Sequence, residues 1–400
     1  MIIPTYAPTA TERVLPRLAL DFTTSALDPR VTVTRALDTA TRINSNGFVE
    51  IVNANLPRFD YDPTTLACRG LLIEESRANL LAYSNTFNDP IWTTNKSGGG
   101  ALPIVTAASG TSPDGTNNAY RVQFNAGGTT SADFSLIQQI VTGLANPHTG
   151  TRSLWMKSYD GSTYQVALRS LGALTYTVFS VGPIWTRVTH TDTSSTANDG
   201  IQLIVRGTYG TSTTADILVY GAQFEIGAFA TSYIPTTTTS LTRNADVVSM
   251  TGTNLTSWLD ATQGTLLSEH MVPQFNPANT IFAYSLGSSA GVEVYTGIQT
   301  TGVNQFTVQN TTNQANFAGF AAGVVNVPQK VCGYFKENNF AASANGSPAS
   351  TDTLGTVPSI NKLIFGARND GARVLNGWAR KFAYWPFTLT TAEVTAFSKQ

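Results

Sequence analysis

Apolar and polar positions alternate in short runs along most of the chain. VTVTRA from Val31 has period two, and so does GFVEIVN from Gly47, which follows the turn pair Asn46-Gly47. Period two places successive side chains on opposite faces, so these runs predict strands, the second of them the return arm of a hairpin. From about 83 to 235 the same pattern recurs in YRVQFNA, FSLIQQIV, TRSLWMKSY, TYQVALRSL, TYTVFSV, WTRVTHT, IQLIVRG and ADILVYGAQFEIG. Turn sequences such as PDGT and YDGS separate the runs, and that spacing predicts a two-sheet sandwich of jelly-roll kind.

A second strand series runs from about 246 to the end, through GTLLSEHMV, GVEVYTGI, KVCGYFKEN and WARKFAYWP. It closes on LTTAEVTAFSKQ, where Thr390 and Glu393 have the spacing of a capping box and predict one short helix. Pro4, Pro8, Pro16 and Pro29 make residues 1–30 read as an extended arm. YIPTTTTSLTR, residues 233–243, reads as a stiff connector with little to bury. The expected fold is therefore all-β: two consecutive antiparallel β-sandwich domains after an N-terminal arm and a small β region. The expected boundaries are 1–30, 31–82, 83–235, a linker at 236–245, and 246–400.

Composition narrows the function. Only 12% of the 400 residues are charged, against about 25% in ordinary soluble domains. The net charge of −1 provides no basic field, so no nucleic-acid partner is expected. Cys68 and Cys332 stand far apart without a CxxC motif; two buried free thiols are expected, with one long-range bridge as the alternative. No apolar run reaches the ~20 residues of a membrane helix. The N-terminus lacks the charged and apolar regions of a secretory signal. The expected route is synthesis in the cytoplasm and release by means other than Sec export.

Chemistry-bearing residues are concentrated in PRFDYDPTTLACRGLLIEESRANLL, residues 57–81. Asp60 and Asp62 are two apart and would share a face of an extended segment. They could pair as carboxylates for glycoside hydrolysis or with the neighbouring arginines. Glu74 and Glu75 are adjacent, so a strand would split them. Arg58, Arg69 and Arg77 balance these acids, and ion pairing is the favoured reading. Asp62-Pro63 is also a turn opener.

Elsewhere the signals are thin. His148, His190 and His270 lack a His, Cys or carboxylate at ligand spacing, so neither a metal site nor any cofactor is expected. Gly287–Gly291 matches GxSxG but is followed by a strand-like run, which makes it a hairpin turn rather than a nucleophile elbow. SGGGA at 97–101 has no phosphate-loop context and reads as a flexible loop. Trp155, Trp185, Trp378 and Trp385 stand beside apolar neighbours and read as core. Trp92 and Trp258 are freer, and they are the candidate sugar-stacking residues.

PRFDYDP at 57–63 and GLLIEESRANLL at 70–81 resemble a recurrent segment of tailed-bacteriophage virion proteins. SNTFNDPIWT, TSPDGTNNAYRV, GAQFEIGAFATSYIPT and the following TRNADVV are similar to that family as well. The resemblance covers about residues 40–250. The last third, on AASANGSPAS and LNGWARKFAYWPFTLTTAEV, resembles laminin-G or concanavalin-like sandwiches.

The resemblance implies a virion structural protein, a fibre, spike or decoration subunit, made in the host cytoplasm and released by lysis. It implies contacts with capsid, collar or tail proteins and with a host-surface glycan, no membrane insertion, a homotrimer, and no enzymatic activity. Residues 1–30 would be the attachment arm, and Arg58, Asp60, Asp62, Arg69, Glu74 and Arg77 a structural joint. Two rival readings stand beside this one. A purely structural decoration subunit makes no host contact. A tailspike-like polysaccharide depolymerase would draw its carboxylates from Asp60, Asp62, Glu225, Glu269 and Glu293.

Overall fold

The computed structural model describes residues 15–399. The chain forms two compact units. Unit 1 takes the residues up to Ala36, then Ala54–Glu75 and Ala245 onward; unit 2 takes Leu37–Asn53 and Ser76–Asn244. Both are β-sandwiches, as the alternation predicts.

Unit 2 has two five-stranded antiparallel sheets. The front sheet runs in the order Thr186–Ser194, His148–Ser158, Thr214–Ile226, Tyr120–Asn125, Ala101–Thr106. The back sheet runs Tyr176–Val181, Tyr164–Ser170, Asp199–Arg206, Phe134–Val141, Thr93–Ser97. Alternate side chains meet between them: Val122, Leu154, Ile217 and Val219 from the front, Ile137, Val166, Leu168 and Leu203 from the back. Each fully buried aliphatic of this kind contributes about 1.5–3 kcal/mol. The predicted hairpin pairs Ala40–Ile43 with Val49–Val52 and belongs to this unit. Gly47 turns it at φ 82°, a conformation open to glycine without strain.

Unit 1 packs an eight-stranded sheet on a seven-stranded one. In the larger sheet Gln263–Met271 and Gly377–Trp385 are central neighbours. In the smaller, Lys362–Phe365 lies between Val247–Thr251 and Ile281–Ser289. Phe22, Tyr284, Phe306, Phe335, Phe340, Phe365 and Phe382 fill the interior. The terminal helix Thr391–Phe397 starts in the predicted capping box. It turns Val394 onto Trp385.

Three expectations change. The described part of the expected 1–30 arm is not free: Leu18–Asp21 pairs with Gly377–Trp385, and Phe22 is buried. The alternation in LALDF outweighs the flanking prolines there; residues 1–14 lie outside the described residues. The segment 31–82 is not a region of its own, because its parts divide between the two units. The Thr-rich connector is packed into unit 2. Tyr233, Ile234 and Arg243 are buried, and Leu241–Arg243 pairs with Arg77–Asn79.

Candidate functional site

The charged island resolves into separate ion pairs. Inside unit 1, Arg58 donates to Glu74 at 2.7 Å and to both carboxylate oxygens of Asp246, and Arg35 reaches Asp246 at 2.9 Å. All four residues are buried. Burial alone would lower the Arg58 pKa, but Asp246 and Glu74 outweigh it and hold the guanidinium charged. Arg35, Glu74 and Asp246 each stand one residue from a point where the chain leaves or re-enters unit 1, and Arg58 stands four residues inside one.

Asp60 and Asp62 do not share a face. The strand pairing slips between Asp60 and Tyr61. Asp60 is buried and accepts from Trp378 Nε1 at 2.9 Å. Asp62 accepts from the backbone of Thr64 and Thr65 and pairs with Arg69 at 2.8 Å. The Thr65 bond first, then Arg69, hold its carboxyl well below the usual range. Arg69 also lies 5.0 Å over the Trp378 ring. Arg77, in unit 2, donates to the Ile226 carbonyl and stacks on Phe229 at 4.8 Å.

The other depolymerase carboxylates have internal partners. Glu225 accepts from Thr231, Glu269 pairs with Arg380 at 2.8 Å, and Glu293 accepts from Ser285, Gly291 and Asn369. The two sugar-stacking candidates are core residues. Trp92 is 6% exposed against Phe87, and Trp258 is 2% exposed against Tyr384. Each indole N–H is taken by a backbone carbonyl, of Tyr83 and Asn254 respectively. Their polar-rich neighbourhoods are local turns folded over the rings, which the sequence reads as openness.

An aromatic platform exists on the outer face of the unit 2 back sheet. Register aligns Tyr176 with Arg169, Arg169 with Gln202, Gln202 with Gln138, and Gln138 with Thr93. The side chains of that row are linked: Arg169 Nη1 donates to Gln202 Oε1 at 2.8 Å, and Gln202 Nε2 donates to Gln138 Oε1 at 2.5 Å. The next row, Val178, Ala167, Ile204 and Leu136, is apolar and covered by Tyr209. Tyr209 stacks on Tyr176 with centroids 3.8 Å apart, and Tyr176 remains 43% exposed. Arg206 steadies Tyr209 by donating to its hydroxyl at 3.2 Å. The exposed ring, the fixed amide–guanidinium ladder and the apolar strip lie side by side.

The sandwich edge next to Tyr176 is closed by charge. Arg152 donates to Asp192 at 2.7 Å and to Asp199, and His148 Nε2 stands 3.1 Å from Asp199. His190 places Nδ1 at 3.0 Å from Thr177 Oγ1 and Nε2 at 3.0 Å from Thr175 Oγ1, whose hydroxyl donates to Asp192. Burial raises the Asp192 pKa, but the polar groups of His190, Ser170 and Thr175 around it and the charge of Arg152 bring it well below the usual range. Sequence spacing missed this cluster because its members come from different strands. One local signal existed: Thr175, Thr177, His190 and Asp192 keep the two-residue step that puts each pair on one face of its strand.

A cavity of about 380 Å³ also opens in unit 2, lined by Asn85, Asp114, Asn118, Tyr220 and Tyr233 among others. Asp114 is saturated there by Ser112, Thr116, Asn118 and Tyr220.

No protein-family model matches the chain. No curated protein matches it either. Among solved structures it is similar to a family 11 carbohydrate-binding module from Clostridium thermocellum in complex with a mixed-linked tetrasaccharide. That likeness has 14% identity, covers 38% of this chain and 97% of that one, and has a TM-score of 0.26. It is similar to the enzymatically active domain of bacteriophage CBA120 tailspike protein 4, with 12% identity, 37% and 21% coverage, and a TM-score of 0.28. It is also similar to Trypanosoma rangeli sialidase bound to the inhibitor DANA, with 9% identity, 74% and 71% coverage, and a TM-score of 0.30. The expectation of no enzymatic activity is corrected at this point. A sialidase and an enzymatically active tailspike domain stand among the structures the chain resembles, and the non-enzyme reading is dropped.

Proposed function

We propose that the chain is a tailspike-like, glycan-engaging protein of a tailed-phage particle, and that the outer face of the unit 2 back sheet receives host-surface polysaccharide. The observation that carries the reading is the half-exposed Tyr176 ring beside the Arg169–Gln202–Gln138 ladder. Sugar rings offer an apolar CH face to an aromatic plate and hydroxyls to planar amides, so the two features suit one ligand. The strands of this face contribute Arg169 and Arg206 to it and no Asp or Glu, which favours an acidic polysaccharide. The island at 57–81, with its resemblance to virion proteins, supports a place on the particle in contact with other virion proteins, and a homotrimeric assembly is part of the same proposal.

The test is retention of the chain on immobilised host polysaccharide, compared with a Tyr176→Ala variant. Unchanged retention in the variant would remove this face as the site. The same mixture, assayed for new reducing ends, separates capture from depolymerisation.

A further inference from the structure

We propose that Thr177 and His190 form an acyl-transfer site on unit 2, with Thr177 as nucleophile and His190 as its base, acting on O-acyl esters such as acetyl groups. The choice of a glycan as the acyl carrier rests on the reading above; the chemistry does not.

The proton positions follow from the donors available. Asp192 is held ionised and can only accept. The Thr175 hydroxyl therefore spends its proton on Asp192, and its oxygen accepts from His190 Nε2. In the neutral imidazole Nδ1 is then the acceptor, and the group it faces at 3.0 Å is the Thr177 hydroxyl. The result is a directed chain, Thr177 to His190 to Thr175 to Asp192. A carboxylate stands 3.6 Å behind the base, and Arg152 is fixed on that carboxylate at 2.7 Å.

Nucleophile and base are within hydrogen-bond reach, and the base is oriented by a third group. Thr177 is exposed, whereas His190 and Asp192 behind it are nearly closed off from solvent. Among the described residues His190 holds the only hydrogen bond of the Thr177 hydroxyl. Thr177 stands on the face of its strand opposite Tyr176, and that strand is the edge of its sheet, so an ester reaches Thr177 around that edge and not on the platform itself.

In the reaction Thr177 Oγ1 attacks the ester carbonyl carbon as its proton passes to His190 Nδ1. The imidazolium formed is stabilised by Asp192, with Thr175 as the positioning link. The bond from the acyl carbon to the sugar oxygen breaks, and His190 returns the proton to that oxygen. Water then attacks the acyl-threonine, gives a proton to His190, and releases the acid as Thr177 Oγ1 is reprotonated. Water is the only co-reactant.

The other candidates lack this arrangement. Asp114 in its cavity has no free oxygen, and His270 and Cys332 are sealed from solvent.

The experiment uses the full chain and p-nitrophenyl acetate, which needs no glycan site. Hydrolysis above buffer is expected, with an acetyl group found on Thr177 in acid-quenched protein. Thr177→Val should lower the rate about 100-fold or more, the usual worth of such catalysis, and Thr177→Ser should retain activity. A parent protein no faster than buffer and without acetyl on Thr177 overturns the proposal, and so does a Thr177→Val variant that matches the parent. Acetyl trapping is read on the parent itself, so it holds even where a variant fails to fold. Esterolysis of p-nitrophenyl acetate and retention on polysaccharide are read in separate assays of the parent protein, so failure of the one and failure of the other are separate results.

Discussion

Arg58 and Asp246, 188 residues apart in the chain, form a buried ion pair in which the carboxylate receives two guanidinium nitrogens. Removing one partner of such a pair leaves a charge in the interior without compensation, which costs roughly 3–5 kcal/mol. Arg58→Ala takes from Glu74 and Asp246 the guanidinium they share, while Arg35 stays on Asp246, and should fall within that range. Arg69→Ala breaks a half-exposed pair with Asp62 and should cost under about 1 kcal/mol. Urea denaturation of the two variants checks the contrast. Equal, small losses would mean that the network does not hold unit 1 together.

The strands were legible because period two is written locally, and so were the hairpin at Gly47, the Asp62 turn and the Thr390 capping box. What those elements pair with was not. Nothing near Arg58 points to Asp246, and nothing near His190 points to Thr177. Trp92 and Trp258 misled for a related reason. Polar neighbours in sequence suggest an exposed ring, but each ring lies under its own turn with its N–H satisfied by a carbonyl. Tyr176 escaped notice because its strand alternates like any other, and only the cross-strand register shows the ladder beside it. Truncating Trp258 to Ala should therefore cost about 3–5 kcal/mol in thermal or chemical denaturation. Its effect on polysaccharide retention should be no greater than its effect on the folded fraction.

His270 predicts a pH dependence. Its Nε2 donates to Asn304 Oδ1 at 3.1 Å, while Nδ1 is buried without a partner. Burial lowers its pKa from 6.5 to about 4, against a smaller opposing effect of the Asn304 bond. Between these values the unfolded chain binds the proton and the folded chain does not. The contribution of the neutral side chain is thus complete above pH 6.5 and declines as pH falls toward 4. A shift of this size corresponds to roughly 3 kcal/mol. Denaturation midpoints measured across this range should fall with pH in the parent and fall less in His270→Gln. Parallel curves would sink the assignment.

Cys332 is fully buried, and burial pushes its thiol far above the usual range. Cys68 is half-buried, so the expectation of two buried free thiols holds for one of them. The thiolate is the reactive form. Iodoacetamide at mildly alkaline pH should leave Cys332 unmodified in the native protein and label it in denaturant, with peptide mapping as the readout. Native labelling of Cys332 would show that its strand, Gln329–Lys336, opens readily.

Tyr176 is the residue on which the glycan reading can be weighed. Its ring has one face on Tyr209 and stays 43% exposed, so Tyr176→Ala removes a plate without opening the sandwich interior. Aromatic stacking of this kind is worth about 0.5–1.5 kcal/mol beyond area burial, so affinity for the host polysaccharide should fall about 2- to 10-fold. Gln202→Ala cuts the ladder in its middle. It removes the bonds that Gln202 makes to Arg169 and Gln138 and should disturb hydroxyl recognition by a similar factor. Tyr176→Phe keeps the plate and should retain binding. The three variants, titrated by calorimetry with melting temperatures as control, distinguish stacking from general surface attraction. A uniform response to salt with no dependence on residue 176 would instead assign binding to the charges of Arg169 and Arg206 alone.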